Sequence, residues 1–158
     1  MSGDDLPSFS VLAFGFCEAW SRRDAEGLLG QWDLNDPHAT YLAAGTLRAM
    51  VGEAAIRAYV EGGCRAFVRI AMRPGPLHIR RLGPASGLAY FPMAWALQDK
   101  PGRQPYGGDV RVTMLMRETA QGPRIFHYAE APLAPLVTLQ KFYESIAADG
   151  LDAMPVAP

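Results

Sequence analysis

The stretch GLAYFPMAWALQ, residues 87–98, decides the fold. Successive side chains of a strand point to opposite faces, so this run divides into two sets. The odd set, Ala89, Phe91, Met93, Trp95 and Leu97, is bulky after its first member and is assigned to the face that meets helices. The even set, Leu88, Tyr90, Pro92, Ala94 and Ala96, is also apolar, which is the pattern of a strand covered on both sides. A second copy of the chain is the simplest cover for that outer face, so a homodimer is expected. From Leu88 to Leu97 no residue is charged, yet the run is about half the length that a helix needs to span a bilayer, and no transmembrane segment is expected.

The same period continues on either side. Leu77–Leu82, Leu88–Gln98, Asp109–Thr119 and Arg124–Ala131 are four extended runs separated by Gly83-Pro84, Pro101-Gly102, Gly107-Gly108 and Gly122-Pro123, and they read as antiparallel neighbours. In Asp109–Thr119 the even set, Val112, Met114 and Met116, is apolar against Arg111, Thr113 and Arg117, so the even set is placed inward. The last run stays open between two registers, with Phe126, Tyr128 and Glu130 on one face and Ile125, His127 and Ala129 on the other.

Upstream the period changes to that of a helix. Phe9, Ala13, Phe16, Cys17 and Trp20 make one apolar face between Ser8, the expected N-cap, and Arg22. Asp24 is the cap of a short second helix over Ala25–Gln31, and Asn35-Asp36-Pro37 is a turn. Ala39–Ala43 is a short strand. Gly52 and Glu53 open a third helix with Ile56, Tyr59 and Val60 on its buried stripe. Leu136, Leu139, Phe142 and Ile146 give a terminal helix over about 135–148. The order of elements is that of an α+β domain, with helices covering one face of a mostly antiparallel sheet.

The 158 residues suit one domain, with a core over about 8–132. Hydrophobic residues make up 49% of the chain and the formal net charge is −1, which excludes disorder and leaves no basic footprint for nucleic acid or an anionic membrane. Cys17 and Cys64 are too few and too far apart for a disulfide framework or a zinc site. Asp4 and Asp5 stand where a signal peptide needs positive charge, so a cytoplasmic location is expected. No HExxH, GxSxG, Walker loop or GxGxxG is present, and no cofactor or metal is expected.

Taken in order, FCEAWSRRDAEGLLGQW, GEAAIRAYV, GLAYFPMAW, VTMLMRE and GPRIFHYAE resemble the cystatin-like α+β barrel superfamily of SnoaL-like polyketide cyclases, ketosteroid isomerases and nuclear transport factor two. The resemblance implies a conical, curved sheet wrapped around three N-terminal helices and enclosing an apolar pocket. Phe16, Ala43 and Met114 match the positions of the isomerases' tyrosine, general base and protonated acid, so steroid isomerisation by that mechanism is disfavoured. The pocket is expected to be lined by Phe16, Trp20, Trp32, Tyr41, Tyr59, Phe91, Met93, Trp95, Met114, Met116, Phe126 and Tyr128. The candidate acid–base residues are Glu130, in the isomerase-like register of the last strand, and His127, in the register of many SnoaL-like proteins. Two functions follow from different classes. One is a cofactor-independent lyase, isomerase or cyclase acting on a small hydrophobic or aromatic compound. The other is a non-catalytic ligand-binding or dimerisation module. The small subunit of an aromatic-ring dioxygenase, which shares the fold, is a third reading.

Overall fold

Helix α1, Pro7–Arg22, buries Phe9, Leu12, Ala13, Phe16, Cys17 and Trp20 on one face and leaves Val11 and Phe14 exposed on the other. These coordinates are a computed structural model and describe residues 7–133; the helix expected over 135–148 lies outside them. Ser8, the expected cap, lies inside the first turn and its hydroxyl donates to Glu118 Oε1 at 3.0 Å. Arg23, at φ 55°, ends the helix in a left-handed turn. Asp24 then caps α2, Ala25–Leu29, by accepting from the Gly27 N–H at 2.9 Å.

Strands β1, Thr40–Leu42, and β2, Met50–Val51, form an antiparallel pair that leads into α3, Glu53–Ala66. The α3 N-cap, Gly52, has φ 79°, a conformation that a side chain would strain. Ile56 and Val60 on α3 are fully buried. The remaining strands are β3, Arg69–Pro74; β4, His78–Gly83; β5, Ser86–Gln98; β6, Tyr106–Thr119; and β7, Gly122–Pro132. Four strands were expected after α3 and five are found, the addition being β3. The short β2 was also unforeseen.

The sheet order is β2-β1-β7-β6-β5-β3, with β4 also paired to β5. Strand β5 is long enough to take two partners along one edge: β4 pairs with its first part, as in His78 opposite Tyr90, and β3 with its second, as in Met72 opposite Trp95. All pairings are antiparallel except β1 with β7, where Tyr41 stands beside Tyr128. The curved sheet is unclosed, and the helices lie on its inner face, where α1 packs on β3, β5 and β7.

The inner face of β5 and β6 follows the expected alternation. Ala89, Phe91, Met93, Val112, Met114 and Met116 are all buried. In β7 strict alternation fails. Met116 pairs with Ile125 and Leu115 with His127, so Phe126 has no partner across the ladder and forms a bulge. Ile125 and Tyr128 consequently both face the core at 0% exposure, although they lie three residues apart.

Outside the bulge, the Arg117 guanidinium stacks 4.1 Å from the centre of the Phe126 ring. The same guanidinium pairs with Asp33 at 3.5 Å and hydrogen-bonds Asp36. Asp36 also accepts from the His38 N–H at 2.8 Å, the turn role read from the sequence. That backbone bond first, and Arg117 second, hold the Asp36 carboxyl below its usual range.

Two tests concern this framework. A Cβ on Gly87 would lie 2.5 Å from Cε2 of the Phe9 ring, so Gly87→Ala should lower stability by roughly 1–3 kcal/mol, read as a lower urea midpoint. Asp36→Asn should cost about 1 kcal/mol at pH 7. Because the folded pKa is depressed, this contribution is present above the unfolded value of about 3.9 and is lost as the pH falls through the folded value. The wild-type advantage over Asp36→Asn should therefore shrink in urea titrations as the pH is lowered below about 4.

Candidate functional site

Between the helices and the β3 side of the sheet lies a cavity of about 200 Å³. Trp20 comes from α1, Tyr41 from β1, Tyr59 and Gly63 from α3, Ile70 and Met72 from β3, Trp95 and Leu97 from β5, and Glu130 from β7. Phe67 and the Ala43–Gly45 loop complete the wall. Gly63 has a steric reason for its place inside a helix: a Cβ there would lie 3.0 Å from the Trp20 ring. Its absence lets the indole lie flush against α3.

Tyr41 is the hub of the aromatic wall. Its ring centre is 4.9 Å from Tyr59, 4.8 Å from Tyr128, 5.4 Å from Trp32 and 6.1 Å from Phe16. Such tilted and offset contacts are the favoured geometries between aromatic rings.

Glu130 is held at both carboxylate oxygens. Its Oε1 accepts from the Tyr128 hydroxyl at 2.7 Å, and its Oε2 accepts from the backbone N–H of Ala44 at 2.9 Å. Each oxygen keeps a second lone pair. Burial, and then the charge of Glu130, pushes the Tyr59 phenol up to about 12. Burial, and then Tyr59 and Glu130, holds Tyr41 well above the ordinary phenol value. Burial, and then Tyr41 and Glu130, does the same for Tyr128. All three are therefore O–H donors at neutral pH. The Trp20 N–H lies close enough to the Tyr41 oxygen to oppose part of that shift, but it makes no hydrogen bond of good geometry. Burial also pushes the Cys17 thiol up to about 12, with Glu130 adding to the effect, so Cys17 is not a nucleophile here. Among the described residues no group of three or more His, Cys, Asp or Glu side chains is placed to hold a metal ion.

The expected pocket residues divide. Trp20, Tyr41, Tyr59 and Trp95 line the cavity together with Glu130. Phe16, Trp32, Phe91, Met93, Met114, Met116 and Tyr128 lie in the core behind that wall and do not line it. Phe126 sits under Arg117 at the bulge. His127 pairs with Leu115 and Thr40 away from the cavity, and burial lowers its pKa. Of the three isomerase-matched positions, only Ala43 lines the cavity. The site carboxylate instead comes from β7 and binds the backbone of the next residue, Ala44. Phe67, Ile70, Met72 and Gly63 were not foreseen. The alternation in RIAMRP, with Ile70 and Met72 on one side, was the available signal.

No protein-family model and no curated protein matches the sequence. Solved structures do match in fold. A candidate dehydratase of the NTF2-like family from Streptomyces avermitilis superposes with a TM-score of 0.75 at 16% identity, over 83% of this chain and 98% of that one. A candidate scytalone dehydratase from Novosphingobium aromaticivorans gives 0.72 at 8% identity, over 82% and 85%. An NTF2-like protein with a cystatin-like fold from the same organism gives 0.67 at 20% identity, over 87% of each chain. With its unclosed antiparallel sheet curved over N-terminal helices, this chain has the NTF2-like, cystatin-like fold.

Proposed function

We propose that the chain binds a small, largely apolar molecule in this cavity and acts on it by cofactor-independent acid–base chemistry of the lyase or isomerase class. The observation that carries the reading is Glu130. It is the one carboxylate among the described residues lining an aromatic cavity, and hydrogen bonds from Tyr128 and Ala44 fix its orientation. A general base must have its lone pair directed at the bound molecule before reaction, and a carboxylate tied at both oxygens loses little freedom when the molecule arrives. Tyr59, protonated at every physiological pH, is the nearby proton donor. Fold likeness to two candidate dehydratases supports this class of chemistry by analogy.

One observation favours the non-catalytic reading: the same two hydrogen bonds tie β7 to the 43–45 loop, a structural role for Glu130. Incubation with cyclic ketones and β-hydroxy ketones in D2O separates the two. Wild-type protein should catalyse proton exchange beside the carbonyl or loss of water, and Glu130→Gln should slow either reaction about 100-fold or more. Reaction at equal rates in the variant and the wild type would overturn the role of Glu130, and ligand binding with no reaction across the panel would establish the binding-module reading.

The outer sheet face is proposed as a homodimer contact. Tyr90 is 40% exposed there, between half-buried Leu88 and exposed Ala94. Light scattering should report twice the mass of the chain, and a monomer would overturn this. No helix among the described residues is long and apolar enough to cross a membrane. The two free cysteines suit a reducing compartment, which supports a cytoplasmic location.

A further inference from the structure

The polar groups of the cavity are unbalanced, and the imbalance describes a ligand. Its acceptor is partly served, because each oxygen of Glu130 receives one hydrogen bond and keeps a second lone pair. Its donors are not. The hydroxyls of Tyr41, 1% exposed, and half-buried Tyr59 line the cavity and donate to no acceptor among the described residues. The Trp20 Nε1, in a side chain 3% exposed, also lacks one. The Trp20 Nε1 is a buried donor without an acceptor, and the two phenol hydroxyls face the cavity beside it, so an acceptor atom supplied from outside the chain would serve all three.

Charge narrows the choice. Among the described residues lining the site, Glu130 is the one carboxylate, and none is Arg, Lys or His. A carboxylate or phosphate ligand would meet that charge in a poorly screened environment. An ammonium group would pair with the remaining lone pairs of Glu130 but brings no acceptor for the Tyr41 and Tyr59 hydrogens.

Size narrows it again. An apolar cavity of about 150 Å³ accommodates benzene, and this one measures about 200 Å³. One ring with a short substituent suits this volume.

From these three constraints we infer that the site selects an uncharged single-ring compound bearing a carbonyl or hydroxyl oxygen, which accepts hydrogen bonds from Tyr41 and Tyr59. This rests on the reading of the cavity as a ligand site, and it holds whether or not the ligand reacts.

Calorimetric titration of the full chain with acetophenone, benzoate, benzylammonium and 2-acetylnaphthalene tests each constraint separately. Acetophenone should bind at least about tenfold more tightly than the other three. Tyr59→Phe should weaken acetophenone about tenfold while leaving toluene unaffected. Glu130→Gln should strengthen benzoate binding about tenfold, a gain that misfolding cannot mimic. Tighter binding of benzoate, benzylammonium or the bicyclic ketone than of acetophenone would overturn the inference and leave the cavity as a ligand site of another class. Unchanged acetophenone affinity in Tyr41→Phe/Tyr59→Phe would overturn it as well. Failure of all four compounds and toluene to bind would overturn both the inference and the ligand-site reading. Acetophenone binding without any reaction in the D2O assay would remove only the acid–base reading.

Discussion

Phe126 has no partner across the β6–β7 ladder, and the rest of the structure is organised around that one extra residue. Ile125 is claimed by the segment after α2: its N–H donates to the Gln31 carbonyl and its carbonyl accepts from the Asp33 N–H, both at 2.8 Å. Tyr128 is claimed by the inner face, opposite Met114 and beside Tyr41. Two residues three apart point to opposite faces of a regular strand, so both demands are met only if the strand gains a residue between them. The displaced Phe126 ring is then used on the outside, where Arg117 lies over it and reaches Asp33 and Asp36. Glu130, two residues beyond Tyr128, inherits the inward direction and arrives at the cavity.

The parts of this arrangement visible in the sequence are those set by local alternation. Strands β5 and β6 were legible because Phe91, Met93, Met114 and Met116 fall at a strict period of two beside contrasting or smaller partners. The caps at Asp24 and Gly52 were legible from turn chemistry. Strand β3 was not, since it follows α3 with little punctuation and its two apolar inward residues are interleaved with Arg69, Ala71 and Arg73. Its pairing comes from β5, a long-range partner that no window of the sequence contains. The bulge is hidden for the same reason, because alternation describes one strand whereas a bulge is a mismatch between two.

The site shows the corresponding limit. Phe91 and Trp95 share a face of β5 and were read alike, yet Phe91 packs in the core and Trp95 lines the cavity. What separates them is position along the strand relative to β3 and the 43–45 loop. Face assignment therefore finds the candidates without sorting wall from core. The parity of Tyr128 and Glu130 did survive, because no irregularity intervenes between them. The cavity's carboxylate does not come from where the isomerase pattern would place it: the matching position after β1 holds a methyl group, Ala43, and Glu130 enters the cavity from β7.

The parallel pairing of β1 with β7 joins the start of the sheet to its last strand, and the bond from Ala44 to Glu130 spans 86 positions of sequence. Contacts of such long separation form slowly, because the chain must close a large loop before they contribute. During synthesis, Phe16, Trp32, Tyr41 and Tyr59 emerge well before β7, which covers them, leaving an apolar cluster and an unpaired β1 edge exposed for several seconds at ordinary elongation rates. The same topology that delivers the carboxylate to the cavity makes the nascent chain vulnerable to association through β1, and makes pocket formation one of the last events of folding.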